Sequence, residues 1–177
     1  MGIFPMAMEQ GEIGWFSPDP RGVIPLDSFH VPKSLKRIMS SNRFDVRINS
    51  SFDEVIDGCA EREETWIDET VRESYLNLKG RGYAHSVECW SEGELAGGLY
   101  GVAIGGAFFG ESMFSRKRDA SKVALVSLVE HLLKRKFILL DTQWTTPHLQ
   151  QFGAIDIPKS TYMKVLHEAI GMDVSFV

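Results

Sequence analysis

Three strand-like segments follow one another between residues 84 and 115, with only turn residues between them. They read AHSVECW, LAGGLYGVAIGG and AFFGESMFS, and the links are SEGE and Gly105-Gly106. Strands joined by such short links pair as antiparallel neighbours, because a parallel pair needs a crossover of a dozen or more residues. The sequence therefore predicts a three-stranded antiparallel meander, and the other elements have to pack around it.

Helical patterns precede the meander. The sequence predicts a short helix over VPKSLKRIMSS, a second over SSFDEVIDGCAERE with Ser50 or Ser51 as N-cap, and a third over TWIDETVRESYLNLKGRG. Thr65 and Asp68 have the spacing of a capping box at the start of the third helix. The rest of the chain up to Asn49 contains several prolines, which predicts irregular, extended structure.

The elements after the meander complete the fold class. They are a long helix over DASKVALVSLVEHLLKRK capped by Asp119, an apolar strand over FILLDTQW, and a short helix, a final strand and a C-terminal helix within HLQQFGAIDIPKSTYMKVLHEA. This order predicts an α+β fold with a mainly antiparallel sheet flanked by helices. The chain has 177 residues, of which 44% are hydrophobic, enough for a sizeable core. We expect a short N-terminal segment over 1–49 and the main domain over 50–177.

Composition and spacing exclude several classes of protein. The net charge of −5 argues against a general nucleic-acid coat protein but is compatible with a local basic patch. Cys59 and Cys89 form no CxxC pair and are expected to be reduced, buried thiols. No run approaches the roughly 20 apolar residues that span a bilayer, and the histidines lack metal-ligand spacing. We therefore expect a soluble, cytoplasmic protein with no membrane contact and no metal.

The groups that could carry chemistry are polar residues placed late in apolar strands. Glu111 lies in the third strand of the meander, and Asp141 and Gln143 end the strand FILLDTQW. Residues two apart on a strand share a face, so the three groups converge if the two strands are neighbours. The apolar pocket beside them would be lined by Leu99, Phe108 and Met113. The pattern leaves equally open that Glu111 only forms an ion pair with an arginine such as Arg116.

Two further features have competing interpretations. Lys33, Lys36 and Arg37 share one face of a helix, and the spacing alone favours a solvated surface over a binding site. Trp66 precedes the third helix, and a side chain of this size is as typical of a core as of a binding surface. Neither feature predicts a function by itself.

Motifs across almost the whole chain resemble one family of enzymes. They are WFSPDPRGVIPLDSFHVPKSLKR, TWI, AHSVECW, ELAGGLYGV, FFGESMFS, DASKVAL and LDTQ followed by HLQQFGA. In this order they resemble the leucyl/phenylalanyl-tRNA–protein transferases, and FFGESMFS together with LDTQ is highly specific. The chain is identified as similar to this family from Gly2 to the C-terminal helix.

The resemblance implies a fold and an activity. The fold would be a GNAT-like acyltransferase fold, with the catalytic domain over 50–177 and without cofactor or metal. The activity would be the transfer of Leu or Phe, with Met as a further candidate, from aminoacyl-tRNA to the N-terminal Arg or Lys of acceptor proteins. This forms a peptide bond and marks the acceptors for N-degron degradation. We expect a monomer whose partners are the 3′ end of aminoacyl-tRNA and the acceptor protein.

The resemblance also implies roles for individual residues. Glu111 would contact the reacting amino groups, Gln143 would accept a hydrogen bond from the incoming α-amino group, and Asp141 would orient and polarise Gln143. The resemblance implies an aminoacyl pocket formed by Leu99, Phe108, Gly110, Met113, Leu125 and Leu140. It implies contacts with adenosine and tRNA by Trp66, Trp15, Lys33, Lys36 and Arg37, which reverses the preference for a solvated helix face.

The chain departs from the family pattern at its start. Members usually carry a longer segment before GIFP and a Trp after it, where this chain has Met6. The missing Trp would weaken adenosine binding, or Trp15 would substitute for it. Two other functions are compatible with the sequence: a non-catalytic module that binds tRNA ends or N-terminal Arg, and a CoA-dependent GNAT acyltransferase. The second predicts a glycine-rich phosphate loop before the long helix, where SRKRDASK has no glycine.

Overall fold

A computed structural model describes residues 2–8, 12–61 and 65–177. The strands are β1 (Phe4–Ala7), β2 (Ile13–Phe16), β3 (Arg21–Ile24), β4 (Asp45–Ile48), β5 (Ala84–Ser91), β6 (Glu94–Ile104), β7 (Ala107–Ser115), β8 (Leu139–Gln143) and β9 (Ile155–Ile157). The helices are α1 (Lys33–Ser40), α2 (Phe52–Ala60), α3 (Glu69–Gly80), α4 (Ala120–Lys134), α5 (Pro147–Gln150) and α6 (Lys159–Ile170). A 3-10 turn, Leu26–Ser28, follows β3.

The predicted meander is the centre of a seven-stranded sheet. The strand order is β4-β5-β6-β7-β8-β3-β9, and β5, β6 and β7 pair as antiparallel neighbours. The long helix α4 connects β7 to β8, which pair in parallel, as a helical crossover allows. The predicted α+β class, with a mainly antiparallel sheet flanked by helices, is confirmed.

Each face of the sheet carries its own hydrophobic core. Leu99 of β6 packs in the cluster that contains α4, and the next residue, Tyr100, packs in the cluster that contains α2 and α3. Successive side chains of a strand point to opposite faces, so the long apolar run of β6 is explained by burial on both sides. Cys59 and Cys89 are both buried, as predicted.

The chain before Asn49 is more regular than predicted. Helix α1 forms as expected, but β1 and β2 make a separate two-stranded sheet, and β3 and β4 are strands of the large sheet. The prolines mark the entry to β3 rather than a long loop: β3 begins at Arg21, directly after Asp19-Pro20. The division into 1–49 and 50–177 stays a prediction. Strand β3 belongs to the first of these segments, yet it lies between β8 and β9 of the second.

Two predicted helix caps differ in detail. Asp68, not Thr65, is the N-cap of α3, and its carboxylate accepts a hydrogen bond from Val71 N at 2.8 Å. Thr65 accepts one from Ile67 N, ahead of the helix. Asp119 is the N-cap of α4 but binds Lys122 instead of a backbone N–H. Asp119 is therefore at its predicted cap position without the backbone hydrogen bond of a cap, whereas α3 begins three residues later than the Thr65–Asp68 capping box predicts.

Candidate active site

Strands β7 and β8 pair over a short stretch and then separate. Their parallel pairing covers Ala107–Phe109 against Leu139–Asp141, after which β7 continues along β6 and β8 continues along β3. Glu111 and Gln143 each lie two residues beyond the last pair, Phe109 and Asp141. The three polar residues predicted to converge therefore stand together where the two strands part.

A β-bulge sets the orientation of Glu111. Tyr100 of β6 pairs with Ser112 and Gly101 pairs with Gly110, so Glu111 is the extra residue on β7. A bulge re-aims a side chain and interrupts the pairing locally. A Cβ on Gly101 would lie 2.2 Å from the Phe109 backbone oxygen, so this crowded pairing requires glycine.

A second irregularity sets the orientation of Gln143. Gly22 of β3 pairs with Gln143 and Val23 pairs with Asp141, which leaves Thr142 as the extra residue on β8. Gln143 adopts φ 65°, a left-handed conformation that is uncommon for glutamine. Regular strand alternation, from which the sequence analysis argued, is therefore interrupted between Asp141 and Gln143. The two residues nevertheless lie together.

Gln143 connects the two carboxylates. Its side-chain Nε2 donates to Glu111 Oε2 at 2.9 Å, across the gap between β7 and β8, and its backbone N–H donates to Asp141 Oδ1 at 2.8 Å. Asp141 thus contacts the main chain of Gln143, whereas Glu111 contacts its amide side chain. The carbonyl oxygen Oε1 of Gln143 is the end of the amide that points away from this hydrogen bond.

Asp141 lies in a charged, fully buried environment. Arg21 donates to both of its oxygens, from Nε at 2.9 Å and Nη2 at 2.7 Å, and Tyr162 donates its hydroxyl at 2.6 Å. Arg21 is 2% exposed and Asp141 0% exposed, so each is paired as a buried charge requires. Burial, and then the neighbouring Asp141 charge, raise the pKa of Tyr162, which keeps its hydroxyl protonated as a donor.

Glu111 accepts hydrogen bonds from two neutral groups, Tyr75 and Gln143. Burial raises its pKa to about 7, opposed by hydrogen bonds from Tyr75 and Gln143, while the charge of Asp141 raises the pKa further and that of Arg21 lowers it. The alternative ion pair with Arg116 does not form, because Arg116 binds Glu61 at 2.7 Å. Near neutral pH this carboxyl group can therefore exist in either protonation state.

Comparisons with known proteins agree with the family resemblance found in the sequence motifs. A profile described as "Leucyl/phenylalanyl-tRNA protein transferase" matches residues 23–167, and a profile of that enzyme's N-terminal domain matches residues 1–19. The chain belongs to the leucyl/phenylalanyl-tRNA–protein transferase family. The enzyme of this name from Rubrobacter xylanophilus is 54% identical over 176 residues, covering 99% of this chain and 92% of that protein. That of Akkermansia muciniphila is 54% identical over 174 residues, covering 96% and 90%.

The solved structures that match this chain are much less similar to it in sequence. A ribosomal-protein-alanine N-acetyltransferase from Brucella melitensis biovar Abortus 2308 has 14% identity and a TM-score of 0.43, covering 61% of this chain and 84% of that one. L-PGS from Bacillus licheniformis has 14% identity and a TM-score of 0.48, covering 84% and 51%.

The pocket that the family resemblance implies is mostly closed. Four of its side chains are core residues exposed by 3% or less: Leu99, Phe108, Leu125 and Leu140. Met113 and Gly110 are partly exposed, and Met113 packs against the same core. The assignment of these residues to an aminoacyl pocket stays a prediction.

An open cavity lies beyond Met113, towards the end of β7. Its volume is about 340 Å³, and it is lined by Gly58, Glu61, Met113, Phe114, Ser115, Arg116, Ser121 and His148. The ion pair between Arg116 and Glu61 stands on its wall, so the cavity is more polar than the predicted pocket. Met113 is the one residue shared by the two sets.

The residues predicted to bind tRNA lie on the surface. Lys33, Lys36 and Arg37 are exposed on α1, and none of the ion pairs found among residues 2–8, 12–61 and 65–177 includes them. A groove of about 280 Å³ beside α1 adds further cations; it is lined by Pro32, Ser34, Leu35, Ile38, Arg43, Arg118, Asp119, Lys122 and Gln151. Trp15 on β2 is 70% exposed, and Trp66 packs partly against the α2–α3 core.

Three residues of the site were not predicted from the sequence. Tyr75 lies on α3 and hydrogen-bonds Glu111. Arg21 and Tyr162 received no role. The one signal for Arg21 was a charge at the head of the apolar run RGVI, since a buried arginine requires an acidic partner.

Two classes of feature are absent from the described part of the chain. Across residues 2–8, 12–61 and 65–177, no three His, Cys, Asp or Glu side chains are grouped so that they could hold a metal ion. Over the same ranges, no helix combines the length and the apolar character needed to cross a membrane.

Proposed function

We propose that the protein transfers Leu or Phe from aminoacyl-tRNA to the N-terminal Arg or Lys of acceptor proteins, at the site formed by Glu111, Asp141 and Gln143. The family supplies the two substrate classes. The observation that carries the residue assignment is the hydrogen bond between Gln143 and Glu111, which joins β7 and β8 where the strands separate. The new N-terminal residue would mark the acceptor for N-degron degradation.

The reaction needs positioning more than a nucleophilic side chain. The aminoacyl ester is already activated, and an α-amino group with a pKa of about 8 is partly unprotonated near neutral pH. The amine nitrogen attacks the ester carbonyl carbon, the bond from that carbon to the ribose oxygen breaks, and one proton passes from nitrogen to that oxygen. Holding amine and ester in line supplies a large part of such a rate enhancement.

Gln143 and Glu111 have complementary roles in that step. The Nε2 group of Gln143 is occupied by Glu111, so its Oε1 is the atom that accepts a hydrogen bond from the incoming amine. Glu111, with its pKa raised to about 7 by burial, can take the proton that an ammonium loses and return it to the ribose oxygen. Asp141 holds the backbone of Gln143 rather than its amide.

The donor side chain would enter beside Met113 and Gly110. These are the partly exposed members of the predicted pocket, and Leu99, Phe108, Leu125 and Leu140 lie in the core behind them. An apolar wall favours Leu and Phe over smaller residues by roughly 1–3 kcal/mol per methylene. Met would be accepted for the same reason.

The basic surface of α1 would hold the tRNA body. Lys33, Lys36 and Arg37 have no acidic partner among the described ion pairs. The groove beside them adds Arg43, together with Arg118 and Lys122, which share Asp119 as their ion-pair partner. In a chain of net charge −5 this is a local basic patch, as phosphate binding requires. Trp66 and Trp15 are the aromatic residues proposed to hold the terminal adenosine.

The test is transfer of labelled Leu from Leu-tRNA to a peptide that begins with Arg. An N-acetylated copy of the peptide is the matched control, because it lacks the attacking amine. A parallel assay with a minimal aminoacyl-adenosine donor separates the chemistry from binding by the basic surface. Transfer to the free peptide alone supports the proposal. Binding of tRNA without transfer would support the non-catalytic module, and transfer only from an acyl-CoA would support the CoA-dependent enzyme.

A further inference from the structure

The carboxylate of Asp141 has no acceptor position left. Each oxygen accepts two hydrogen bonds: Oδ1 from Arg21 and the Gln143 backbone, and Oδ2 from Arg21 and Tyr162. An ionised carboxylate offers about four lone-pair sites. Asp141 therefore cannot also accept from a substrate amine or from the Gln143 side chain without losing one of these partners.

Arg21 is fixed on every side. Besides Asp141, its Nη1 donates to the Gly2 carbonyl oxygen at 2.8 Å, and its guanidinium lies 5.0 Å from the Phe4 ring centroid and 4.8 Å from that of Tyr162. A Cβ on Gly2 would lie 2.5 Å from the Tyr162 ring, so the chain passes directly over this pair. Gly2 and Phe4 thus lie directly against the Arg21 guanidinium.

The Asp141 carboxylate also stabilises an unfavourable backbone conformation of Gln143. Gln143 has φ 65°, which a non-glycine residue adopts only when its surroundings enforce it. The hydrogen bond from its backbone N–H to Asp141 is the contact that fixes this turn, and the turn aims the amide at Glu111. Arg21 in turn fixes Asp141 through a bidentate pair.

We propose that Arg21 is a positioning residue of this site: its guanidinium holds Asp141 as a rigid acceptor for the Gln143 backbone, and Asp141 serves as a support rather than as a proton acceptor. The inference rests on the proposed function only for its kinetic consequence. A lysine at position 21 would keep the charge, but it could not bind both carboxylate oxygens and the Gly2 carbonyl through one planar group.

Hydrogen exchange tests the geometry without any activity. In Arg21→Lys, we expect faster exchange in a peptide that covers residues 139–146, with exchange in the β5–β6 hairpin unchanged. Arg47→Lys is the matched control, since Arg47 also binds a carboxylate, that of Asp45, but on an exposed edge strand far along the sheet order. Unchanged exchange around Gln143 in the folded Arg21→Lys variant would overturn the inference.

Kinetics test whether the position matters for transfer. We expect Arg21→Lys to lower kcat about tenfold or more while KM for aminoacyl-tRNA changes less than about twofold, and Arg47→Lys to change neither. In a Gln143→Ala background, Arg21→Lys should cost little more, because the residue it positions is gone. A full additional loss in that background, or normal kcat in Arg21→Lys, would contradict the positioning role.

Tyr162→Phe decides the matter if Arg21→Lys does not fold. It removes one hydrogen bond to Asp141 without changing a charge, and we expect a smaller fall in kcat with the same lack of additivity. Wild-type kcat in Tyr162→Phe would then count against a rigid Asp141. If the wild-type protein transfers nothing, the proposed function is wrong. The exchange experiment would still show whether Arg21 fixes the backbone around Gln143.

Discussion

Two carboxylates stand on neighbouring strands of the site in opposite electrostatic surroundings. Asp141 is paired with the buried cation Arg21 and accepts four hydrogen bonds. Among the described residues, the hydrogen-bond donors to Glu111 are the neutral groups of Tyr75 and Gln143, and burial raises its pKa to about 7. A buried cation is bonded to both oxygens of Asp141, whereas the effect of burial on the pKa of Glu111 outweighs the lowering effects of its hydrogen bonds and of the Arg21 charge.

This difference separates two tasks. A carboxylate held by a bidentate arginine is rigid, which suits positioning. A carboxyl group whose pKa is raised to about 7 by burial changes protonation near neutral pH, which suits proton transfer. Gln143 is bonded to both, through its backbone on one side and its amide on the other. The predictions below test whether the two carboxylates respond differently when each is neutralised.

The largest effect is expected for Asp141→Asn. The substitution leaves the Arg21 charge, 2% exposed, without its counter-ion, and breaking such a buried pair costs about 3–5 kcal/mol. We expect a lower Tm at neutral pH and a large loss of kcat, measured by thermal unfolding and by the transfer assay. A Tm equal to that of the wild type would mean that the buried pair is not needed for stability.

Gln143→Ala should cost activity without comparable loss of stability. Removal of one positioned hydrogen-bonding group from a reaction site typically lowers kcat by about 10²–10³, and binding of donor and acceptor should persist. Gln143→Asn is the matched control for the backbone, since asparagine tolerates φ 65° but is too short to keep the bond to Glu111. Normal kcat in both variants would remove Gln143 from the reaction.

Glu111→Gln should have an effect that depends on pH. If the carboxylate takes up a proton from the acceptor, kcat/KM of the wild type rises with pH up to about 7, and this limb disappears in the variant while the titration of the acceptor amine remains. We expect kcat at pH 8 to fall about 10- to 100-fold. Near-normal turnover would assign the proton to the ribose hydroxyl of the donor instead.

The stability of the same variant should change in the opposite direction from Asp141→Asn. Because burial raises the pKa of Glu111 above its value in the unfolded chain, the wild type loses stability as pH rises from about 4.5 to about 7. Glutamine carries no charge at any pH, so Glu111→Gln should not lose this stability. The Tm of the variant should exceed that of the wild type increasingly between about pH 4.5 and 7, by a few degrees at pH 8. Glu88→Gln, which removes a buried carboxylate bound by Ser50, Ser51 and Ser86, should destabilise instead.

The contrast between the carboxylates also shows where sequence reasoning stops. The meander and helix α4 could be predicted, because they follow from periodicity and from short connections. The pairing of β7 with β8 entered the sequence analysis only as a condition, and its parallel direction was not predicted. Strands β3 and β4 could not, because four residues flanked by prolines or charges give little periodic signal. The convergence of Glu111 and Gln143 was predicted only on the condition that their two strands are neighbours.

The environments of these groups could not be predicted in the same way. The bulges at Glu111 and Thr142 depend on inter-strand register, which no local pattern records. Arg21 lies 120 positions from Asp141 in the chain, and their pairing arises only because β3 is inserted beside β8. Chemistry could therefore be assigned to residue types, while their protonation behaviour required the contacts.

The smallest predicted effect, and the finest test of the contrast, is that of Tyr75→Phe. Tyr75 is 3% exposed and packs edge-on against Tyr100 at 5.1 Å, so loss of its hydroxyl leaves the packing intact. Its hydrogen bond lowers the pKa of Glu111 against the larger effect of burial, so removal should raise that pKa further. The acidic limb of kcat/KM should move to higher pH by a fraction of a unit, with little change at pH 9. A shift to lower pH, or equal loss at every pH, would mean that Glu111 does not control that limb.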